Sequence, residues 1–248
     1  MVRKIKTESY NFVKQNFKMN FKLSFWAILL FFLNVLSNTS VNYNSILGDA
    51  KFAYTSYLFG IIVSVVFAII GYEYFKANQD TSHLNGSLSQ GFTGNKIIKT
   101  LLLSLIISSF FGVLTIIAFL VGALLIGLSL GNPDAMVIVL LITVPTFIGV
   151  AIYFSTLFSQ SNFILLTSID EGTFDELGYI GAIKKSKSVM TGHVWEYIVM
   201  HLSLIGWFLL IVITAGLASI FVIPYYLDVI GNYHRYIMES YVDSTILK

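Results

Sequence analysis

Cysteine is absent from the 248 residues. That excludes a disulfide framework, a thiolate nucleophile and a sulfur-ligated metal site, and leaves the redox character of the compartment unread. Charge is nearly as scarce. Asp, Glu, Lys and Arg make up 11% of the chain, against about 25% in an average soluble domain. So few charged groups cannot coat a globular surface, and a soluble monomer is excluded. The formal charge of +2 excludes a nucleic-acid-binding protein, which needs a basic face rather than a few lysines beside apolar runs. The four histidines include no H-E-x-x-H pair, and there is no G-x-S-x-G elbow and no P-loop, so no familiar soluble chemistry and no cofactor is expected. What is abundant is apolar: 56% of residues, with 21 Phe, 14 Tyr and a mean hydropathy of +0.79. This excess belongs against lipid, and the chain reads as an integral membrane protein.

Stretches without an ionisable residue run from Leu23 to Gly48, Phe52 to Tyr72, Thr100 to Pro133, Ala135 to Ile169 and Tyr197 to Leu227, with His counted as neutral. Each is long enough for the ~20 apolar residues that a helix needs to cross a bilayer. None shows the alternating pattern of a β-barrel strand. The class is all-α: one polytopic helical bundle, residues 1 to 248, with spans near 23 to 40, 54 to 75, 97 to 127, 135 to 158, 195 to 213 and 216 to 237. No cleavable signal is expected, because the first apolar run begins only after a segment rich in Lys and Asn and lacks an A-x-A site. Residues 1 to 22 read as a cytoplasmic N-terminal segment. Asn42, Asn44 and Asp49 mark one polar loop, and Asn78 to Asn95, rich in Gly, Ser, Asn and Gln, another. The third run is longer than the core is thick, so its helix should tilt, project or break near Gly122 or Gly127. Pro145 predicts a kink, and Thr214-Ala215-Gly216 a tight reversal.

Six Lys and Arg precede the first span, three lie between spans two and three, three between four and five and two after six, leaving only Lys51 on the other side. By the positive-inside rule this bias of fourteen to one puts both termini in the cytoplasm. Asp170 to Gly192 carries acids first, then Leu177, Ile180 and Ile183 at helical spacing, then Lys184, Lys185 and Lys187. That order predicts an interfacial amphipathic helix over 170 to 193, with its lysines meeting anionic headgroups or its surface docking a cytoplasmic partner.

The run Ala182-Ile183-Lys184-Lys185-Ser186-Lys187-Ser188-Val189-Met190-Thr191-Gly192-His193-Val194-Trp195 is followed by Leu202-Ser203-Leu204-Ile205-Gly206-Trp207-Phe208-Leu209-Leu210 and then by Pro224-Tyr225. In order and spacing it resembles the bacterial membrane family called domain of unknown function 975. The resembled pattern is a short cytoplasmic helix ending in Met-x-Gly-x-x-Trp, a span with Leu-Ser-x-Ile-Gly-Trp, a glycine-bearing reversal, and Pro-Tyr in the next span. Ala218 departs from the pattern where the second Gly is usual, as does Tyr233-His234-Arg235 where an aromatic pair and an acid are usual. The resemblance implies a six-span protein of the bacterial inner membrane and brings no assigned activity.

Candidate site residues are polar groups in apolar surroundings. Asp228 lies four residues after Pro224, where lipid cannot take a carboxylate; it reads either as a proton or cation relay or as an interfacial acid paired with Arg235 or a lysine of an inner loop. His193 and His201, with Tyr197 between them, read as a proton or metal site or as bonds to the interface and a neighbouring helix. Ser155, Ser159, Gln160 and Asn162, with Tyr225, Tyr226 and Asp228, are expected to face a cavity open to the cytoplasm, or else to lie on an inner helix beyond the membrane. Gly127-x-x-x-Gly131 allows close helix approach. The expected role is non-enzymatic: an accessory or protective factor acting with an export system or in tolerance to a membrane-active peptide. The alternative is a transporter or channel for a small solute or ion. Membrane lipids are the expected partners, with a membrane protein or a second copy as a further possibility.

Overall fold

The computed structural model describes residues 1–39, 46–79, 91–130 and 132–246. Helix accounts for 89% of it, and no strand occurs among the described residues. The helices are α1 (Val2–Gln15), α2 (Phe17–Thr39), α3 (Ile46–Gln79), α4 (Gly94–Leu128), α5 (Pro133–Phe158), α6 (Ser161–Asp170), α7 (Phe174–Met190), α8 (Val194–Leu202), α9 (Ile205–Ile213) and α10 (Ser219–Ile246). Among the described residues, four stretches are long and apolar enough to cross a membrane by length and composition: Phe59–Gln79, Gly94–Leu128, Pro133–Asp170 and Val194–Ile213. Asn42, Asn44 and Gly131 lie outside the described residues, as does most of the 78 to 95 stretch, and Asp49 falls within α3.

The axis of the bundle is α10, which packs against α1, α2, α3, α7 and α9. Its approach to α3 is set by two glycines. A methyl group built on Gly231 would stand 3.1 Å from the backbone nitrogen of Phe75 and 3.3 Å from the carbonyl oxygen of Gly71, so the bare backbone of α10 at Gly231 lies directly on the backbone of α3. Around this crossing, Ala27, Ile28, Ile70, Tyr74, Ile223 and Leu227 join α2, α3 and α10. A second cluster joins α1, α5, α7, α8 and α10 through Ile5, Leu157, Met190, Met200, Tyr225 and Tyr233.

The N-terminal segment is part of this bundle. Ile5, Ser9 and Val13 are buried at helical spacing along α1, while Arg3, Lys4 and Lys14 stay exposed. The stripe is the amphipathic pattern that docks a helix on a core. By contrast α4, which packs on α3, α5 and α6, and α5, which packs on α4, α7 and α8, contribute almost no buried residue along their most apolar windows; Leu128, for example, is 77% exposed. An apolar surface this extensive belongs in lipid rather than water.

Four stretches show what the pattern of apolar runs leaves open. Unbroken, α4 covers 35 residues through Gly122 and Gly127, and α5 continues through Pro145, begun by Pro133 in its first turn and by Asn132, whose side chain accepts from the Ala135 N–H at 3.2 Å. The segment 170 to 193 is not one helix: α6 ends at Asp170, Gly172 turns with φ 72°, and Gly178 interrupts α7 with φ 61°, a conformation open mainly to glycine. Lastly, the stretch from Val194 to Ile213 breaks at Ser203-Leu204 into α8 and α9.

Candidate functional site

Where α4 and α5 meet α8, α9 and α10, a groove of about 760 Å³ opens on the side of the bundle. Its walls are apolar, with Phe111, Ile152, Ile198, Leu202 and Ile205, and its polar groups are Ser155, Thr156, Tyr197, His201 and Tyr226. The imidazole of His201 is fixed at both nitrogens, with Nδ1 3.0 Å from the Tyr197 carbonyl and Nε2 3.4 Å from the Tyr226 hydroxyl. Thr156 turns its hydroxyl back to the Ile152 carbonyl at 2.9 Å. An apolar channel with a few oriented polar groups suits an amphiphile, whose chain needs contact area and whose polar part needs hydrogen bonds.

Of the seven residues expected at one cavity, Ser155 and Tyr226 share this groove. Gln160 is fully buried, with Oε1 2.9 Å from Nδ1 of His234 and Nε2 donating to Ser159 Oγ at 3.1 Å. His234 lies between the rings of Phe75 and Phe163. The Asn162 carbonyl oxygen is buried without a hydrogen-bond partner among the described residues. Tyr225 packs on Trp207 and faces α1.

Asp228, fully buried, sits at the junction of α10, α3 and α1. It accepts from Asn78 Nδ2 at 2.6 Å and from Asn232 Nδ2 at 3.0 Å, and Asn232 also donates to Ser9 Oγ at 3.0 Å. The partners expected from sequence were Arg235 or a lysine; the direct ones are two amides. Asn232 follows Asp228 by one helical turn, a spacing at which such side chains meet. Asn78 and Ser9 carry no such signal. Nearby, Tyr74 donates to the Asn20 carbonyl at 2.9 Å and receives the Ser24 hydroxyl at 2.7 Å.

A second polar centre gathers four charges near the C-terminal ends of α3 and α6 and the N-terminal end of α4. Lys96 lies 2.7 Å from Asp170 and 3.9 Å from Glu73, and Lys76 lies 3.1 Å from Asp170 and 3.2 Å from Glu73. The Lys96 side chain is the more deeply buried cation, at 7% exposure against 21% for Lys76. Lys96→Met is therefore expected to lower stability by about 3 kcal/mol, because it strips a buried cation from two carboxylates. Lys76→Met should cost less, and denaturation of the purified protein in detergent compares the two.

Lys184, Lys185 and Lys187 are exposed on α7, with Lys185 beside the face on which Ala182, Ser186 and Val189 are buried, and Ser186 anchors that helix by donating to the Leu157 carbonyl at 2.7 Å. His193 meets Glu196 at 2.9 Å. Among the described residues, no three His, Asp or Glu side chains converge as metal ligands.

Fold and site together define an all-helical protein whose long apolar helices suggest a membrane-embedded chain. The chain belongs to the family described as Protein of unknown function (DUF975), whose model matches residues 2–240. No curated protein and no solved structure is significantly similar to it.

Proposed function

We propose that this protein is a multi-pass, non-enzymatic factor of a bacterial inner membrane that binds a membrane-active amphiphile, and so serves an accessory or protective role. It forms one integral domain with both termini in the cytoplasm and six embedded helices, α2, α3, α4, α5, α9 and α10. The charge bias of fourteen to one supports that orientation, and Lys184, Lys185 and Lys187 would then meet anionic headgroups of the inner face. The observation that carries the functional reading is the lateral groove, apolar along its walls and polar at Ser155, Tyr197, His201 and Tyr226.

The test is binding of a fluorescent amphipathic peptide to the protein in nanodiscs. Ser155 is exposed in the groove, so Ser155→Phe should fill it and weaken binding about tenfold, some 1.4 kcal/mol, without moving the melting temperature. Cells lacking the protein should be more sensitive to such peptides, and Ser155→Phe should not restore them. Equal binding by Ser155→Phe and wild type would remove the groove as the site.

A transporter of a small solute is the second reading, favoured by a cavity of about 350 Å³ lined by Phe75, Thr167, Ser168, Lys185 and His234 among others. Flux in proteoliposomes, with unchanged peptide sensitivity in the deletion strain, is the outcome that would select it.

A further inference from the structure

The last two embedded helices are too short, measured from the polar layer, to reach the far side of a bilayer. Asp228 fixes α10 in the layer that holds Asn78, Asn232 and Ser9. From Asp228 back to Ser219, where α10 begins, is about 14 Å at 1.5 Å per residue. The other arm agrees. Lys6 on α1 donates to the Ser203 carbonyl at 3.0 Å, which ties the α8–α9 break to the same amphipathic helix that carries Ser9, and Ser203 to Ile213 is about 15 Å. From Lys96 of the ionic cluster, α4 runs about 48 Å to Leu128, and α3 runs about 45 Å between Ile46 and Lys76. A hydrocarbon core is about 30 Å thick, so α3 and α4 exceed it and the final hairpin covers half.

Its neighbour places the tip at the same depth. A methyl group on Gly216 would lie 2.5 Å from a ring carbon of Phe32, and Phe32 is about 18 Å along α2 from Asn20, the residue that receives the Tyr74 hydroxyl. Reaching the outer interface with this tip would drag Asp228 and the charges of Glu73, Lys76, Lys96 and Asp170 about 15 Å into hydrocarbon, where ionised side chains are strongly disfavoured.

The turn is chemically built for hydrocarbon. Thr214-Ala215-Gly216-Leu217-Ala218 has no charge, and Ile213 and Leu217 are 80% and 72% exposed. Every backbone N–H from Thr214 to Ser219 has an acceptor: the carbonyls of Leu210, Val212, Ile211, Thr214 and Gly216, and for Ala218 the Thr214 hydroxyl at 3.0 Å. That hydroxyl in turn donates to the Leu210 carbonyl at 2.8 Å. A loop in water does not need this closure, whereas one in lipid does.

We infer that α9, the turn and the first part of α10 form a re-entrant hairpin that enters from the cytoplasmic face and turns back inside the hydrocarbon, so that lipid chains cover its tip. The protein then has four full crossings, α2 to α5, and a wedge confined to the inner leaflet. This goes beyond the proposed function: it rests on the orientation proposed there, which Asp134→Cys tests separately, and does not depend on what the groove binds.

The chain lacks cysteine, so single cysteines report position directly. Leu217→Cys and Ile213→Cys probe the tip at two exposed sites, and Asp134→Cys marks the α4–α5 connection. With a membrane-impermeant maleimide on intact cells, Asp134→Cys should label and both tip variants should not, while all three label after denaturation. With a fluorophore on either tip cysteine in proteoliposomes, a lipid nitroxide deep in the acyl chain should quench more strongly than one at the headgroup. Labelling of the tip variants from outside, stronger headgroup quenching, or no quenching by any lipid would each overturn the inference, the last by showing protein rather than lipid over the tip.

Discussion

Gly231→Leu is expected to be among the most damaging single substitutions in the chain. Even the first carbon of a side chain there would stand 3.1 Å from the Phe75 nitrogen, 3.2 Å from its Cα and 3.3 Å from the Gly71 oxygen. These are backbone atoms of α3 beside its buried stretch 69 to 74, so they cannot swing away as the end of a side chain could. The contact is also the crossing of the two helices that carry Asn78 and Asp228, so forcing them apart strains the buried network with the packing. A loss of about 3 kcal/mol follows from overpacking of this kind. Gly231→Ala is the graded control: it gains about 1 kcal/mol of helix propensity against a tight but smaller intrusion, and should lie near wild type. Thermal unfolding in detergent measures both. Equal midpoints for Leu and wild type would mean that α3 and α10 are not in backbone contact.

Asp228→Ala should have the second large effect, about 3 kcal/mol. Asn78 and Asn232 each direct an amide at this carboxylate, and a hydrogen bond to a charged group contributes about 1.5–3 kcal/mol. Each amide keeps one neutral partner, Asn232 the Ser9 hydroxyl at 3.0 Å and Asn78 the Tyr74 carbonyl at 3.2 Å, so what both lose is the charged acceptor. Asp228→Asn retains one acceptor oxygen and should recover about half of the loss. A double-mutant cycle with Asn78→Ala isolates the pair, because Asp228→Ala should cost markedly less once position 78 has no amide to lose that acceptor. Additive effects would mean that the 2.6 Å contact contributes nothing.

Much of the candidate site was illegible in the sequence for a physical reason. A groove is formed by residues that share a level on different helices, and that level depends on where each helix starts and how it is held. Ser155 and Tyr226 were picked out as polar groups that lipid cannot satisfy, and they do line one groove with His201. By the same criterion Gln160, Tyr225 and Asp228 were expected beside them, yet each is taken up elsewhere: by His234, by Trp207 and α1, and by two asparagines. Polarity in an apolar run shows that a partner is required, but not which one. Ser9 and Asn232 are separated by 223 residues, and no local pattern links them.

By itself, the sequence determined that the chain is helical and apolar enough for a membrane, because the length of an uncharged run and the scarcity of charge are one-dimensional properties that a bilayer reads directly. The family was legible for a similar reason: its motifs at 182 to 195, 202 to 210 and 224 to 225 are contiguous. Only the tertiary structure decided that the N-terminal helix belongs to the core, that Gly178 and the Ser203-Leu204 junction interrupt segments that look continuous, and how far along the bundle each helix extends. Hydropathy counts apolar residues without a common origin. The bonds of Asp228 with Asn78 and of Lys6 with Ser203 supply that origin, and measured from it the final apolar hairpin, long enough in sequence for two spans, runs only about 15 Å to its turn.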